Sequence, residues 1–375
     1  MAGSAAANRG RGALLRHRAA RHFRNVARPP PLPLQTAQKE PDMTMKSADL
    51  LVGELADHFA RVLDSVLPAG RLALVDFPDH SNVGDSAIWL GEMAYLRKRN
   101  RLPAYYSAIA DFDDEACGAA IGDGPILIHG GGNMGTLWPK HEDFRLHLLR
   151  THRGRPIVQM PQSIHYADPA AAAEMAQAIR DHGQFTLLVR DARSFAFAER
   201  HFDCAIRLCP DAALMLGRQQ RSPATVPVFA LLRTDHERAP GGADTLPAGV
   251  VADDWLGEDP AQKRRLRLSL KLGRLFNRDP MAQRAARQQR LAEWRLQRGL
   301  AMLSTGELVV TDRLHAHILS LLLDIPHVLL DNSYGKVAGF ADQWTGDYGG
   351  LMRATDRVEA FETALAGTAP QIVDG

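Results

Sequence analysis

VVTDRLHAHILSLLLDIPHVLLDN, residues 309–332, decides how the chain is read. An apolar run closes in the polar turn Thr311-Asp312, a helical pattern starts near Leu314, and a second apolar run follows Pro326. Strand, helix and strand in that order imply parallel pairing through a right-handed crossover. In open α/β sheets ligands bind at the carboxyl end of such strands, beside helix N-termini whose N–H groups lack partners. Arg313, His315 and His317 gather at this handover, and a cation beside an imidazole suits an anionic substrate. His317 is two positions from His315, which on a helix turns it elsewhere and makes it a packing or supporting residue.

The same unit recurs upstream. Leu72–Phe77 reads as a short strand, PDHSNVGD (78–85) as a loop, and Ser86–Arg97 as a helix. Pro125–His129 is another strand, running into Gly130-Gly131-Gly132-Asn133, where glycines permit a turn of positive φ or close approach of a ligand to the backbone. Asn82, Gly84, Gly131, Gly132 and Asn133 are therefore candidates for backbone-assisted binding. Neither GxGxxG nor a Walker A pattern is present, so no dinucleotide or P-loop site is expected. Pro156–Met160 and Thr186–Val189 add strands that open into Pro161-Gln162 and Arg190-Asp191, with a helix over 169–182 between them. These elements predict a first domain over residues 46–205. Strands at Val226–Leu232, Val250-Val251, Leu308–Val310 and Val328–Leu330 predict a second, over 206–375, preceded by a helix over residues 47–67 at the start of the first.

The chain has 375 residues and 45% apolar content, enough for two cores. Its first 45 residues, rich in Ala, Arg and Pro, hold eight basic residues against Glu40 and Asp42. The remainder has 37 basic and 41 acidic residues, a net charge of about −4, so the basic character belongs to the tail and nucleic acid is not an expected partner. A disordered tail is expected, or an upstream start codon with Met43 or Met45 as the true start; no apolar stretch follows the arginines to make a secretory signal. Cys117, Cys204 and Cys209 show neither CxxC nor Cys/His ligand spacing, so a reducing compartment is expected without zinc or disulfides. No run of 18 apolar residues suggests a transmembrane helix. Between Lys263 and Arg298 lie twelve basic residues against Asp279 and Glu293. As a helix this stretch aligns Arg264, Arg267, Lys271, Arg274 and Arg278 beside Leu268, Leu272, Leu275 and Phe276. That pattern is either a solvated basic face or one lying on an anionic membrane.

SNVGDSAI (81–88), ILIHGGGN (126–133), VRDARS (189–194), PDAAL (210–214) and TDRLHAHI (311–318), in this order over residues 72–345, resemble the polysaccharide pyruvyl transferase family. The resemblance implies an α/β, GT-B-like fold, two Rossmann-like domains with parallel sheets facing across a cleft, the second carrying the basic helical insertion near 260–298. It implies transfer of a pyruvyl group from phosphoenolpyruvate to a sugar of an exopolysaccharide or other cell-surface polysaccharide, giving a ketal. The acceptor would be a sugar or a lipid-linked oligosaccharide. It also implies a cytoplasmic enzyme, peripheral at most on the inner membrane face, whose donor site uses the run Arg313-Leu314-His315 and an arginine matching Arg190.

The residues suit that chemistry in their own right. Carboxylate and phosphate call for guanidinium forks, for which Arg313 and Arg190 stand at strand ends. Ketal formation needs one general acid and one base. His315 is the candidate acid, Asp85 and Asp211 are candidates for the base or for orienting the acceptor, and His129 and Asn133 for contacting either substrate. Without a DxD pair or HExxH run, no metal or cofactor is called for beyond the donor itself. Asp113-Asp114 and Asp253-Asp254 read as helix caps or solvated turns. Two other functions fit a similar pattern: a GT-B glycosyltransferase using a nucleotide sugar, and an inactive member that binds polysaccharide.

Overall fold

The computed structural model describes residues 45–233, 246–273, 278–331 and 336–368. In chain order these carry α1 (Ala48–Val66), β1 (Ala73–Val75), α2 (Val83–Lys98), β2 (Tyr105–Tyr106), α3 (Asp114–Ile121), β3 (Ile126–Ile128), β4 (Gly131–Gly135), α4 (Pro139–Thr151) and β5 (Ile157–His165). There follow α5 (Pro169–His182), β6 (Phe185–Val189), α6 (Ala192–His201), β7 (Ala205–Leu208), β8 (Val226–Leu231), β9 (Val250–Ala252), α7 (Pro260–Gly273) and α8 (Pro280–Ser304). The chain closes with β10 (Gly306–Thr311), α9 (Leu314–Leu323), β11 (His327–Leu329), α10 (Lys336–Phe340), β12 (Leu351–Arg353) and α11 (Arg357–Thr368).

The strands form two parallel sheets. The first runs β2-β1-β3-β5-β6-β7, with β4 pairing along the far part of β5; the second runs β12-β11-β10-β8-β9. In each, the chain steps outward to one flank and then returns to the other side of its first strand, so order reverses between β1 and β3 and again between β8 and β10. Those two reversal points are where an α/β sheet opens a crevice at its carboxyl edge.

Side-chain alternation sorts the strands into three apolar layers. Leu74, Leu127, Val158, Met160 and Leu188 of the first sheet, and Phe229, Leu231, Val309 and Leu329 of the second, all face one shared layer with α1, α2, α8 and α9. Ala73, Val75, Ile126, Ile128 and Leu187 face the other way, toward Met175, Ile179 and Leu148 of the flanking helices. Val228, Val310 and Val328 pack with Ala360, Phe361 and Ala364 of α11. Truncating a fully buried member such as Leu63 to alanine costs roughly 2–5 kcal/mol.

Several elements differ from the sequence reading. Helix α2 starts at Val83 because Asn82 Oδ1 accepts the Gly84 N–H at 3.0 Å, so Gly84 and Asp85 belong to its first turn and not to a loop. Strand β5 continues through Pro161, and the register against β6 shifts between Gln159 and Gln162, a bulge that absorbs the missing N–H. The glycine run continues as β4, which pairs with β5 at Gly131 and Gln162. Strand β7 crosses the expected division at 205/206 and belongs to the first sheet.

The tail lies outside the described residues up to residue 44, as do residues 274–277 of the basic stretch and the side chains of Arg267, Lys271 and Leu272. Of that stretch, Arg264 and Arg278 are exposed, and Leu268 is 52% exposed. On α8 the basic charge meets acids of the first sheet's loops, Arg284 pairing with Asp111 and Arg287 with Asp79, while buried Arg295 joins Glu258. Among the described residues no helix is long and apolar enough to cross a membrane.

Candidate active site

At the end of β10, Thr311 Oγ1 bonds Leu231 O at 2.7 Å and accepts the Arg313 N–H at 3.1 Å, tying the two strands at the second reversal point. Asp312 is buried and accepts the Arg233 N–H at 2.8 Å; burial pushes its carboxyl above the usual range against that hydrogen bond and the nearby cations. Arg313, the N-cap of α9, is 5% exposed and donates to Asp254 Oδ2 at 2.8 Å. Asp254 is therefore the arginine's anchor, not a solvated turn residue. Leu314 packs into the shared core.

The next residue, His315, reaches the segment that follows β7 of the first sheet. Its Nε2 lies 3.5 Å from Asp211 Oδ2, and although buried it makes no hydrogen bond at that separation. Asp211, 1% exposed, also takes Arg190 Nη1 at 2.5 Å and the Ala213 N–H at 2.8 Å. Burial alone would raise the Asp211 carboxyl, but His315 and Arg190 outweigh it and hold the carboxyl well below the carboxylate range. Arg190 follows β6 and is fixed from its other side by Ser163 Oγ at 3.0 Å. The His315 ring lies against the first turn of α2: a Cβ on Gly84 would sit 2.4 Å from His315 Nδ1. Glycine at 84 is thus the condition for the two sheets to meet here.

Asp85 stands beside it, about a quarter exposed, bonded by Asn82 Nδ2 at 2.9 Å and approached by His80 at 3.6 Å. Burial works to raise its carboxyl; His80, His315, His129 and Arg190 together pull it below the ordinary value. His315, His129 and Arg190, placed far apart in sequence, thus converge on Asp85.

The first reversal point is polar and internally bonded. His129, at the end of β3, binds Glu92 Oε2 through Nδ1 at 2.9 Å, while the Gly130 N–H binds Glu92 Oε1 at 2.8 Å. Burial lowers the His129 imidazole, yet Glu92, Asp76 and Asp85 raise it overall above its usual value. Asn133 is held by Gln162 Nε2 at 2.8 Å and Arg145 Nη2 at 3.0 Å and contacts His141 at 3.1 Å. Asp76, at a φ of 69° unusual for a non-glycine residue, binds His141 Nδ1 at 2.9 Å. Gly131 takes a φ of 131° close to Asp85, and Gly132 follows it, partly exposed, in β4.

The structure therefore brings His315, Arg190, Asp211, Gly84 and Asp85 to one place, with His129 adjoining and Asn133 further along the β1 to β3 crevice, while Arg313, two residues before His315, is held by Asp254. It adds Asp76, Glu92, His141 and Asp254, which sequence reasoning missed. Glu92 left a signal, an acid seven positions after Asp85 on the same stripe of an otherwise apolar helix, and Asp76 another, an acid closing an apolar strand. Among the described residues no cluster of His, Cys, Asp or Glu could hold a metal ion.

Comparison with known proteins finds relatives of the whole fold. The chain is 31% identical over 338 residues to "Pyruvyl transferase 1" of Schizosaccharomyces pombe, covering 83% of this chain and 77% of that protein. It is 29% identical to "Putative pyruvyl transferase EpsO" of Bacillus subtilis, covering 77% and 90%. The fold is shared with a functionally uncharacterised protein of Klebsiella pneumoniae, at a TM-score of 0.53 and 17% identity over 80% of this chain and 98% of that one. A family profile described as Polysaccharide pyruvyl transferase matches residues 82–334, which span the whole cluster from Asn82 to His315. The chain belongs to the polysaccharide pyruvyl transferase family, a family of transferases.

Proposed function

We propose that this protein transfers the pyruvyl group of phosphoenolpyruvate to two hydroxyls of a sugar on a cell-surface polysaccharide or its lipid-linked precursor, forming a ketal, on a GT-B-like pair of domains. The observation that carries this reading is the meeting of Arg190 from the first sheet with the Arg313-Leu314-His315 run of the second through Asp211. Two guanidinium groups suit the donor's carboxylate and phosphate, each fork accepting two oxygens. Asp211 and Asp254 hold the forks in place, and the donor's oxygens take up part of that pairing on binding. His315 Nε2, buried beside Asp211, delivers a proton to the methylene carbon of the enol, and Asp211 balances the imidazolium. The donor is a metabolite of the cytoplasm, which is where this reading locates the reaction. On this reading the arginines and the histidine supply the positive charge that neutralises the donor.

The test is incubation of purified protein with phosphoenolpyruvate and a panel of sugars. Phosphate release matched mole for mole by a pyruvyl mass gain on one sugar is the expected result. Thermal stabilisation by a nucleoside diphosphate but not by phosphoenolpyruvate, with no phosphate released, would overturn it in favour of a nucleotide-sugar glycosyltransferase.

A further inference from the structure

We infer that His129, held by Glu92, is the general base that takes the proton from the attacking sugar hydroxyl. This rests on the pyruvyl transfer proposed above and supplies the partner that His315 needs.

The geometry of α2 carries it. Asp85, Trp89 and Glu92 lie along one stripe of the helix, four and three residues apart, with Asp85 at the site end and Glu92 about two turns deeper. The His129 ring lies alongside, against Trp89 at 5.7 Å between centroids. Its Nδ1 is bound to Glu92, whose other oxygen is occupied by the Gly130 N–H. A carboxylate accepts hydrogen bonds on both oxygens, so Nδ1 carries the proton and Nε2 of the neutral ring is a lone pair. Nε2 is on the ring edge away from Nδ1, and two residues further on a Cβ on Gly131 would lie 3.7 Å from Asp85 Oδ1, so the strand end that carries His129 borders the Asp85 end of the stripe. Nε2 is buried, in a residue only 2% exposed, and has no hydrogen-bond partner among the described residues. A buried ring nitrogen left unsatisfied at the crevice of a sheet is unfavourable unless a ligand completes it.

The other candidates fit the role less well. Both oxygens of Asp211 are engaged, one by Arg190 and one by an amide. Asp85, surrounded by positive charge, is a weak base suited to orienting the hydroxyl. The charged groups that face His129 are Glu92 and Asp85 of α2 and Asp76 at the end of β1, the last already bound to His141.

Proton accounting closes with two imidazoles. In the first addition the hydroxyl oxygen bonds to C2 of the donor, His129 takes its proton, and C3 takes a proton from His315. In the second, another hydroxyl oxygen bonds to C2 as the bond to the phosphate oxygen breaks with its electron pair. The now neutral His315 takes that hydroxyl's proton and the departing phosphate takes one from His129. Both rings end as they began, and no outside acid or base is consumed.

The experiment is the pH profile of kcat/KM for the wild-type enzyme, His129→Gln, Glu92→Gln and His141→Gln, with thermal stability measured in parallel. His129→Gln is expected to lower kcat by roughly 10²- to 10⁴-fold. Glu92→Gln keeps the size of the side chain but removes the charge that raises the ring, so the acid limb should move to lower pH by roughly one unit while the alkaline limb stays. A uniform fall in rate with no movement of the limb would make Glu92 and His129 structural and overturn the proposal, as would wild-type turnover by His129→Gln. Movement of the acid limb in His141→Gln and not in Glu92→Gln would transfer the role to His141. If His129→Gln does not fold, Glu92→Gln decides alone. A wild-type enzyme that never releases phosphate removes the pyruvyl reading and this base together, whereas normal wild-type turnover with unaffected variants removes only the base.

Discussion

His315 and His317 stand two residues apart on one helix and live in opposite surroundings. His315 lies at the meeting of the sheets with its Nε2 unbonded, 3.5 Å from a carboxylate. His317, turned about 200° around the helix, is fully buried in a directed chain. His327 Nδ1 must carry a proton to reach Ile325 O at 2.8 Å, so its Nε2 accepts from His317 Nδ1 at 2.7 Å. His317 Nε2 then accepts from the Thr345 hydroxyl at 2.7 Å. Every position in that chain is filled when both rings are neutral, and burial drives both imidazoles down, His327 to about 4 and His317 well below its usual range. The same side chain can take the proton-carrying role proposed for it where a bond is left open, and is a structural bracket where none is.

The sharpest way to break this contrast is a pair of substitutions. His315→Gln retains a hydrogen-bond donor but cannot serve as an acid, and is expected to lower kcat roughly 10²- to 10⁴-fold with an unchanged melting temperature. His317→Gln should do the reverse, losing stability through a broken buried chain with far less effect on kcat per folded molecule. Equal effects of the two on kcat would erase the distinction.

Acid stability tests the neutral pair next. A ring whose folded value is lowered binds protons more readily in the unfolded chain. The stability it contributes is therefore complete above 6.5 and falls as pH drops from there toward about 4. For His327 alone the loss should reach roughly 3 kcal/mol, measured by denaturant unfolding across that range. A flat profile between pH 7 and 4.5 would mean that the pair does not stay neutral.

Smaller effects are expected around His315. Gly84→Ala places a methyl on the ring and should cost roughly 10- to 100-fold in kcat by displacing it. Arg313→Lys keeps the charge and loses the fork, so KM for phosphoenolpyruvate should rise by about tenfold with a lesser fall in kcat. A kcat defect in Arg313→Lys as large as that of His315→Gln would merge the binding and proton roles.

The stretch 309–332 was legible because its signals are local: apolar runs, a helical period and a strand end within one short span. The positions of Arg190, Arg313 and His315 at strand ends follow from the same local logic. What stayed hidden depends on partners far along the chain. Asp254 becomes an anchor only because β8, β9 and β10 are adjacent, and Glu92 becomes a histidine's partner only because β3 lies beside α2. The start of α2 was misplaced because glycine and aspartate are common in loops, and the Asn82 cap that recruits them into the helix competes with that reading.

Helix α2 touches three other segments where a side chain would not fit between them. A Cβ on Gly91 would fall 1.9 Å from Ala212 O, one on Gly299 of α8 would fall 2.3 Å from Val83, and Gly84 abuts His315. A joint with backbone this close from the first turn to the middle of the helix has little play for a hinge. On the proposed function, movement of the two sheets to admit a sugar chain is expected to slide across α2 by small shear displacements, as packed helices do. The enzyme on this view is loaded from the rim, with the bulk of a long sugar chain left outside.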